Sequence, residues 1–322
     1  MKRPLSLWRL IAVAAALAGC GPPNIEQEAK KLIVPMLLPS ATMAVMTDPT
    51  GRIDLIRRVK AADGVHIDVW VISSRRFAAS EAQTQPANRQ RIARGTVVLL
   101  PPLLTCKTWF LNLGELLTGH GWDVVLIDHR AHGWSEGKYV TWGAKEKHDV
   151  KAVVDELVGE KAVHADVYAV GASMGGAVAI QYAAIDPRCK GVLAIAPPAG
   201  ARQIGRRILL MLSEDDYEAA LKRAGEIAGF DPADADTVAA AGQLKCPLLL
   251  VHGLLDWAVP YEHSEEIFAA ARQPKKFMPQ ILYGHALEVW RNEWVADRIE
   301  DLAIMAQKNT DALDAPPSAA QQ

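Results

Sequence analysis

Five short, continuous apolar runs recur along the chain: TVVLL (Thr96–Leu100), DVVLI (Asp123–Ile127), DVYAV (Asp166–Val170), GVLAI (Gly191–Ile195) and PLLLV (Pro247–Val251). Runs that do not alternate with polar residues suit strands buried on both faces of a parallel sheet. Between them lie stretches of helical character, such as Lys145–Val158 and Gly176–Ala184. Strand–helix alternation of this kind predicts an α/β fold, a mostly parallel sheet with helices on both faces. Upstream, two β-rich runs in DLIRRVKAADGVHIDVWVISS flank Asp63-Gly64, a dipeptide that favours a tight hairpin turn.

Two segments break the rhythm. From Arg75 to Arg94 the chain is polar, contains Pro86 and has no apolar period, which reads as an exposed loop. Between Ile195 and Pro247 no strand pattern occurs. There Ser213 and Asp216 form a capping-box pattern, and Tyr217, Ala220, Leu221, Ala224 and Ile227 share one helical face. Residues 199–243 therefore read as a small helical cap, with an elaborate surface excursion as the alternative. A last apolar run, Met278–Tyr283, precedes a terminal helix, and the tail 307–322, ending DALDAPPSAAQQ, reads as disordered.

Composition narrows the possibilities little. The 322 residues can bury a large core, and a net charge of -2 provides no basic field for nucleic acid. No repeat and no metal-type Cys or His spacing is present, and neither a metal nor a cofactor is expected. The N-terminus is more informative. Lys2, Arg3 and Arg9 precede an apolar run, Leu10–Ala18, that is too short to span a bilayer, followed by Cys20. This is the layout of an export signal over residues 1–19, followed by a tether over 20–50 with a helical option at Glu26–Leu32. The remaining Cys106, Cys189 and Cys246 allow one disulfide at most, and free buried thiols are the expectation.

The chemistry-bearing stretch is VYAVGASMGGAVAIQYA, in which Gly171-Ala-Ser173-Met-Gly175 follows an apolar strand run and leads into a helical one. Three fixed positions arise by chance in roughly one chain in ten of this length, so the context decides. A strand turning abruptly into a helix exposes the central residue, and small neighbours let the two backbones approach. A serine hydroxyl also needs a base. The base and its orienting acid are expected in the order Ser, Asp or Glu, His. Asp256 lies in a loop just beyond the run ending at Val251, and His285 follows the last apolar run. Of the other histidines, His263 falls in an expected helix, Glu262–Ala271, as a surface residue, and His252 precedes the acid and reads as structural.

GASMG at Ser173, DHRAHGWSEG at Asp128–Gly137, VHGLLDWAVP around Asp256 and YGH at His285 together resemble the α/β-hydrolases. Within them the chain is similar to the lysophospholipase, monoacylglycerol lipase and serine aminopeptidase-like group, over roughly residues 52–306. The resemblance implies a single hydrolase domain over 51–306 and a Ser173, Asp256, His285 triad acting on carboxylic esters through an acyl-enzyme. Peptidase or thioesterase action on the same triad, or a non-catalytic envelope lipoprotein, is the alternative. Asp128, His129, Arg130 and His132 would form a structural turn, with catalysis as their second option. Ser rather than Asp at 173 argues against haloalkane dehalogenase chemistry. Met174, directly after the nucleophile, would give one oxyanion N–H. The second normally follows a His-Gly pair, but Pro101-Pro102 stands there and proline has no N–H. Leu103 is then the donor, with Leu104 as the alternative. Leu103, Leu104, Trp109, Trp134, Trp142 and Trp257 are candidates to border an apolar substrate site. Finally, Leu17-Ala18-Gly19-Cys20 resembles the bacterial lipobox, which implies lipidation of Cys20 and a place in the cell envelope, with Gly21 leaning towards the outer membrane.

Overall fold

The computed structural model describes residues 22–35, 51–75, 94–281, 284–286, 289 and 291–314. The export segment 1–19, Cys20 and most of the 75–94 loop lie outside the described residues. No helix among the described residues is long and apolar enough to cross a membrane.

Eight strands form one sheet: β1 (Leu55–Lys60), β2 (His66–Ile72), β3 (Thr96–Leu100), β4 (Asp123–Ile127), β5 (Val167–Ala172), β6 (Cys189–Ile195), β7 (Leu248–Gly253) and β8 (Lys275–Gln280). Their order is β1-β2-β4-β3-β5-β6-β7-β8. The hairpin β1–β2 and the β2–β4 pair are antiparallel, and every pair from β4 to β8 is parallel. The hairpin closes at the expected dipeptide, where Gly64 takes φ +88°. The central strands β3, β4, β5 and β7 are buried along their whole length. That is why their sequences are solid apolar runs rather than alternating ones. The edge strands β1 and β8 are partly exposed, and of the two β8 departs further from the sequence pattern. It is partly exposed throughout and reads KKFMPQ, so its apolar run points three residues too far along the chain.

Helices cover both faces. On one side α3 (Glu146–Gly159), α4 (Met174–Ile185) and α8 (Tyr261–Ala270) bury Val150, Val154, Val178 and Ile267 against the sheet. On the other, α2 (Leu111–Gly119) and the terminal α9 (Asn292–Asp314) contribute Leu113, Leu117, Val295, Ile299 and Leu302. The helix α9 runs on to Asp314, so residues 307–314 of the expected disordered tail are helical. The i, i+3/i+4 spacing of Val295, Ile299, Leu302 and Ala306 starts a helix that the following AQKNTDALD, free of Gly and Pro, can continue.

The insert between β6 and β7 is helical: α5 (Ala201–Ile208), α6 (Glu214–Ala228) and α7 (Thr237–Ala241). The Ser213 hydroxyl caps α6 by accepting from the Asp216 N–H at 3.2 Å. Part of the expected tether is ordered too. Helix α1 (Ile25–Ile33) lays Ala29, Leu32 and Ile33 onto Tyr217, Ala220, Leu221 and Ala224 of α6, making a third small core. Its end is fixed by the Trp142 indole N–H donating to Leu32 O at 2.8 Å and the Val140 N–H to Ile33 O at 2.9 Å. Cys106, Cys189 and Cys246 are free thiols.

Candidate active site

The turn from β5 into α4 is built by what its glycines omit. A Cβ on Gly171 would stand 2.2 Å from Gly175 O, and one on Gly175 would stand 2.1 Å from Leu100 O. With both side chains reduced to hydrogen, α4 starts against the end of β3, and Ser173 is forced to φ +51°, ψ -122°. A non-glycine residue there is strained. Strain of this kind at a sharp strand–helix turn is the geometry of a nucleophile elbow. Gly171→Ala should therefore lower stability by about 1–3 kcal/mol or more, because backbone rather than a flexible side chain must move. A urea midpoint within error of the parent protein would contradict this.

Two loops deliver the partners. Asp256 follows β7, and His285 follows β8, the neighbouring strand. His285 Nδ1 lies 2.8 Å from Asp256 Oδ2, and its Nε2 lies 2.9 Å from Ser173 Oγ. A carboxylate only accepts, so Nδ1 carries the proton and Nε2 presents its lone pair to the serine hydroxyl. Asp256 is buried, which by itself would raise its pKa. The hydrogen bonds from His252 and His285, and the N–H of Val259, outweigh that and hold it well below the usual carboxylate range. Its other oxygen accepts from the Ala258 and Val259 N–H groups, each at 2.9 Å. Asp256 is thus an anion with every lobe engaged.

His252 is more closely tied to the site than the sequence suggests. Its Nε2 faces Val259 O at 3.1 Å and Asp256 Oδ2 at 3.3 Å, both acceptors, so Nε2 is protonated. Its Nδ1 then accepts from Ser264 Oγ at 2.6 Å. His263 is not the expected surface residue. It is buried on the inner face of α8 and accepts from the Ala199 N–H at 3.3 Å, pinning the start of the cap. A histidine on an otherwise polar helix stretch gives no sequence signal of that inward turn.

Burial pushes the His129 imidazole down to about 4, helped by its neighbour His132, and burial likewise takes His263 to about 4. In the unfolded chain each would protonate near 6.5. Between these values the unfolded state binds more protons, so stability rises with pH. The stabilisation is present above about pH 6.5 and is lost as pH falls towards 4, on the order of 3 kcal/mol for each group. Urea midpoints measured from pH 7 to pH 4 should fall, and a flat profile would be inconsistent with two buried neutral imidazoles.

Around the expected oxyanion position, Met174 is the first residue of α4, where N–H groups have no intrahelical partner. In the loop after β3 the Leu104 N–H donates to His132 Nε2 at 3.2 Å, which removes Leu104 as an alternative. Among the described residues no hydrogen bond engages the Leu103 N–H. Of the tryptophans, Trp142 is buried and bonded to α1, while Trp134 packs on Trp70 with ring centroids 5.7 Å apart. Trp109 and Trp257 stay exposed, together with Leu104, Leu254 and Leu255. Among the described residues no three His, Cys, Asp or Glu side chains converge to hold a metal ion.

With this geometry in view, the comparisons with known proteins agree on the architecture. The fold is that of the α/β-hydrolases. The family described as serine aminopeptidase, S33, matches residues 91–215. Esterase Pf2001 from Pyrococcus furiosus superposes with a TM-score of 0.60 at 22% identity, covering 84% of this chain and 96% of that one. Est1E from Butyrivibrio proteoclasticus, solved with ferulic acid bound, superposes with a TM-score of 0.59 at 19% identity, covering 77% and 100%. The uncharacterised protein YqkD of Bacillus subtilis (strain 168) is 27% identical over 194 residues, which is 56% of this chain and 62% of that protein. Family match and structural neighbours together support a hydrolase.

Proposed function

We propose that the chain is a serine hydrolase that cleaves carboxylic esters. The observation that carries this reading is the relay itself: one imidazole within 2.9 Å of Ser173 Oγ on one nitrogen and 2.8 Å of a buried carboxylate on the other. Ser173 attacks the ester carbonyl while His285 takes its proton. Negative charge develops on the carbonyl oxygen and is met by the N–H groups of Met174 and Leu103. His285 then protonates the departing alcohol, and the same steps with water release the acid. Asp256 keeps Nδ1 protonated and stabilises the imidazolium without becoming protonated itself.

Exposed apolar side chains adjoining Leu103 and Asp256 along the chain, Leu104, Leu254, Leu255 and Trp257, favour acyl or aromatic esters, including lysophospholipid- or monoacylglycerol-like substrates. Peptidase action is the second reading, favoured by the description of the matching family. A fluorophosphonate probe followed by a side-by-side panel of p-nitrophenyl esters of graded chain length, aminoacyl amides and thioesters separates these cases. Labelling of Ser173 with ester turnover supports the first reading. Amide turnover exceeding ester turnover selects the second. Absence of labelling in folded protein leaves a binding role for the fold.

For location, the reading is a lipid anchor at Cys20 on a membrane facing the periplasm, with Gly21 leaning towards the outer membrane. The support is the layout of charged, apolar and small residues before Cys20. Cys20→Ser should then abolish processing and membrane partition, and unchanged partition would remove the anchor from the account.

A further inference from the structure

The loop that follows β3 bears the one oxyanion donor that does not come from the elbow, yet its first two residues are prolines. Pro101 and Pro102 therefore contribute no N–H groups to organise the turn. The loop is nevertheless gripped at three points, all by one short stretch of chain after β4. The His129 ring lies 3.1 Å from Pro101 O through Nε2, and because a carbonyl only accepts, that nitrogen carries the proton. The Leu104 N–H donates to His132 Nε2 at 3.2 Å. The Lys107 N–H donates to Asp128 Oδ1 at 2.7 Å, and the Lys107 ammonium bonds the other oxygen of the same carboxylate at 2.5 Å.

These grips differ in kind. Asp128 and Lys107 hold the far end of the loop, where the ammonium also lies over the Trp70 and Trp134 rings, 4.7 and 4.4 Å from their centroids. His132 holds the residue next to the donor. Its Nδ1 faces Arg130 O at 3.0 Å, so Nδ1 is protonated and Nε2 is left as the acceptor that Leu104 requires. Leu104 itself sits at φ +68°, a left-handed conformation that a leucine does not hold unaided. The bond to His132 fixes that conformation, and the peptide it orients is the Leu103–Leu104 peptide adjoining the donor. The start of the loop meanwhile abuts the elbow, since a Cβ on Gly175 would fall 2.7 Å from Pro101 O.

We infer that His132 is a positioning residue for the oxyanion hole: through Nε2 it holds Leu104 in a left-handed conformation and so aims the free N–H of Leu103. The inference rests on the serine hydrolase reading. It goes beyond that reading in giving the Asp128–His132 turn a part in the reaction, as the template that replaces the order lost at Pro101-Pro102.

The two amide replacements of His132 separate positioning from simple structural support. Asparagine reaches only as far as Nδ1, so it can keep the Arg130 contact but not the one to Leu104. Glutamine is one methylene longer and reaches the Nε2 position. Complete removal of an oxyanion donor costs about 10²–10³ in kcat, so misaiming one should cost roughly 10- to 100-fold. The expected result is that His132→Asn loses kcat on a p-nitrophenyl ester by that factor with KM within about twofold, while His132→Gln recovers about tenfold of it. Equal kcat values for the two variants, or two values indistinguishable from the parent enzyme, would overturn the assignment. An independent measurement needs no variant. Ring-nitrogen NMR shifts of ¹⁵N-histidine-labelled parent protein should show His132 as the Nδ1–H tautomer, and the Nε2–H tautomer would overturn it whether or not the variants fold. Failure of the parent protein to label with a fluorophosphonate would instead sink the hydrolase reading, so the two failures are distinguishable.

Discussion

Ser173→Ala should remove ester hydrolysis almost entirely, with kcat falling on the order of 10⁵- to 10⁶-fold. The size of the loss follows from what remains. On the serine hydrolase reading, the N–H groups of Met174 and Leu103 can still polarise a bound carbonyl, but oxyanion donors and binding sustain only about 10³–10⁴ over water. Among the described residues no other hydroxyl is hydrogen-bonded to His285. Loss of less than about tenfold would show that another residue attacks the substrate. A companion substitution makes the reason for the geometry testable. Ser173→Gly should be equally inactive yet more stable. Relief of a strained backbone at φ +51° contributes about 1–3 kcal/mol, against about 0.5–1 kcal/mol for the extra freedom of glycine in the unfolded chain. A net gain in the urea midpoint, coupled to total loss of turnover, would mean that the serine is kept at this position at the expense of stability. A loss of stability would mean that Ser173 supports the turn through contacts of its hydroxyl.

The parts of this architecture that could be read from sequence are those where burial is uniform. A strand covered on both faces must be apolar at every position, so β3, β4, β5 and β7 announce themselves in five or six letters. The elbow is legible for a different reason: a backbone approach of about 2 Å to a virtual Cβ leaves glycine as the sole option at Gly171 and Gly175. The candidate triad follows from order along the chain, because β7 and β8 end side by side and each contributes one loop. What could not be read depends on contacts between segments distant in sequence. Helix α1 is a short amphipathic piece in what looks like a tether, and only α6, nearly two hundred residues later, gives its apolar face a partner. His263 looks like any helix-surface histidine until Ala199 is placed beside it. The resemblance assigns His132 to a structural turn, and nothing in its neighbours says that Leu104 lies against it. The Pro101-Pro102 departure marked the place where the pattern fails, but the compensation lies 28 residues downstream.

Asp256→Asn should cost about 10⁴ in kcat with little change in KM, even though the side chain is nearly isosteric. The reason is an accounting of donors. Asp256 receives four N–H groups: Ala258 and Val259 on one oxygen, and His285 and His252 on the other. An asparagine offers one acceptor oxygen and one donor group, so one pair must face the wrong partner. If its oxygen stays with the backbone N–H groups, its amide points at His285 Nδ1. That nitrogen must then be unprotonated, which moves the ring proton to Nε2, facing Ser173, where it cannot accept the hydroxyl proton. The same amide also confronts the protonated Nε2 of His252, which is committed to Val259 O. If the side chain flips, its oxygen serves the two histidines, but its amide faces two backbone donors in a buried site, costing about 1–3 kcal/mol for each unsatisfied group. The first arrangement predicts a variant that binds substrate but labels slowly with a fluorophosphonate, and both predict unfolding at lower urea than the parent. The carboxylate also ties the site to acid stability. Its pKa is held below the unfolded value, so its contribution is present above about pH 4 and is lost only as pH falls well below that. The parent protein should thus lose this contribution on titration into that range, while Asp256→Asn should lack the corresponding part of the acid-dependent change in urea midpoint. A variant with kcat within tenfold of the parent enzyme would show that His285 is oriented by something other than Asp256.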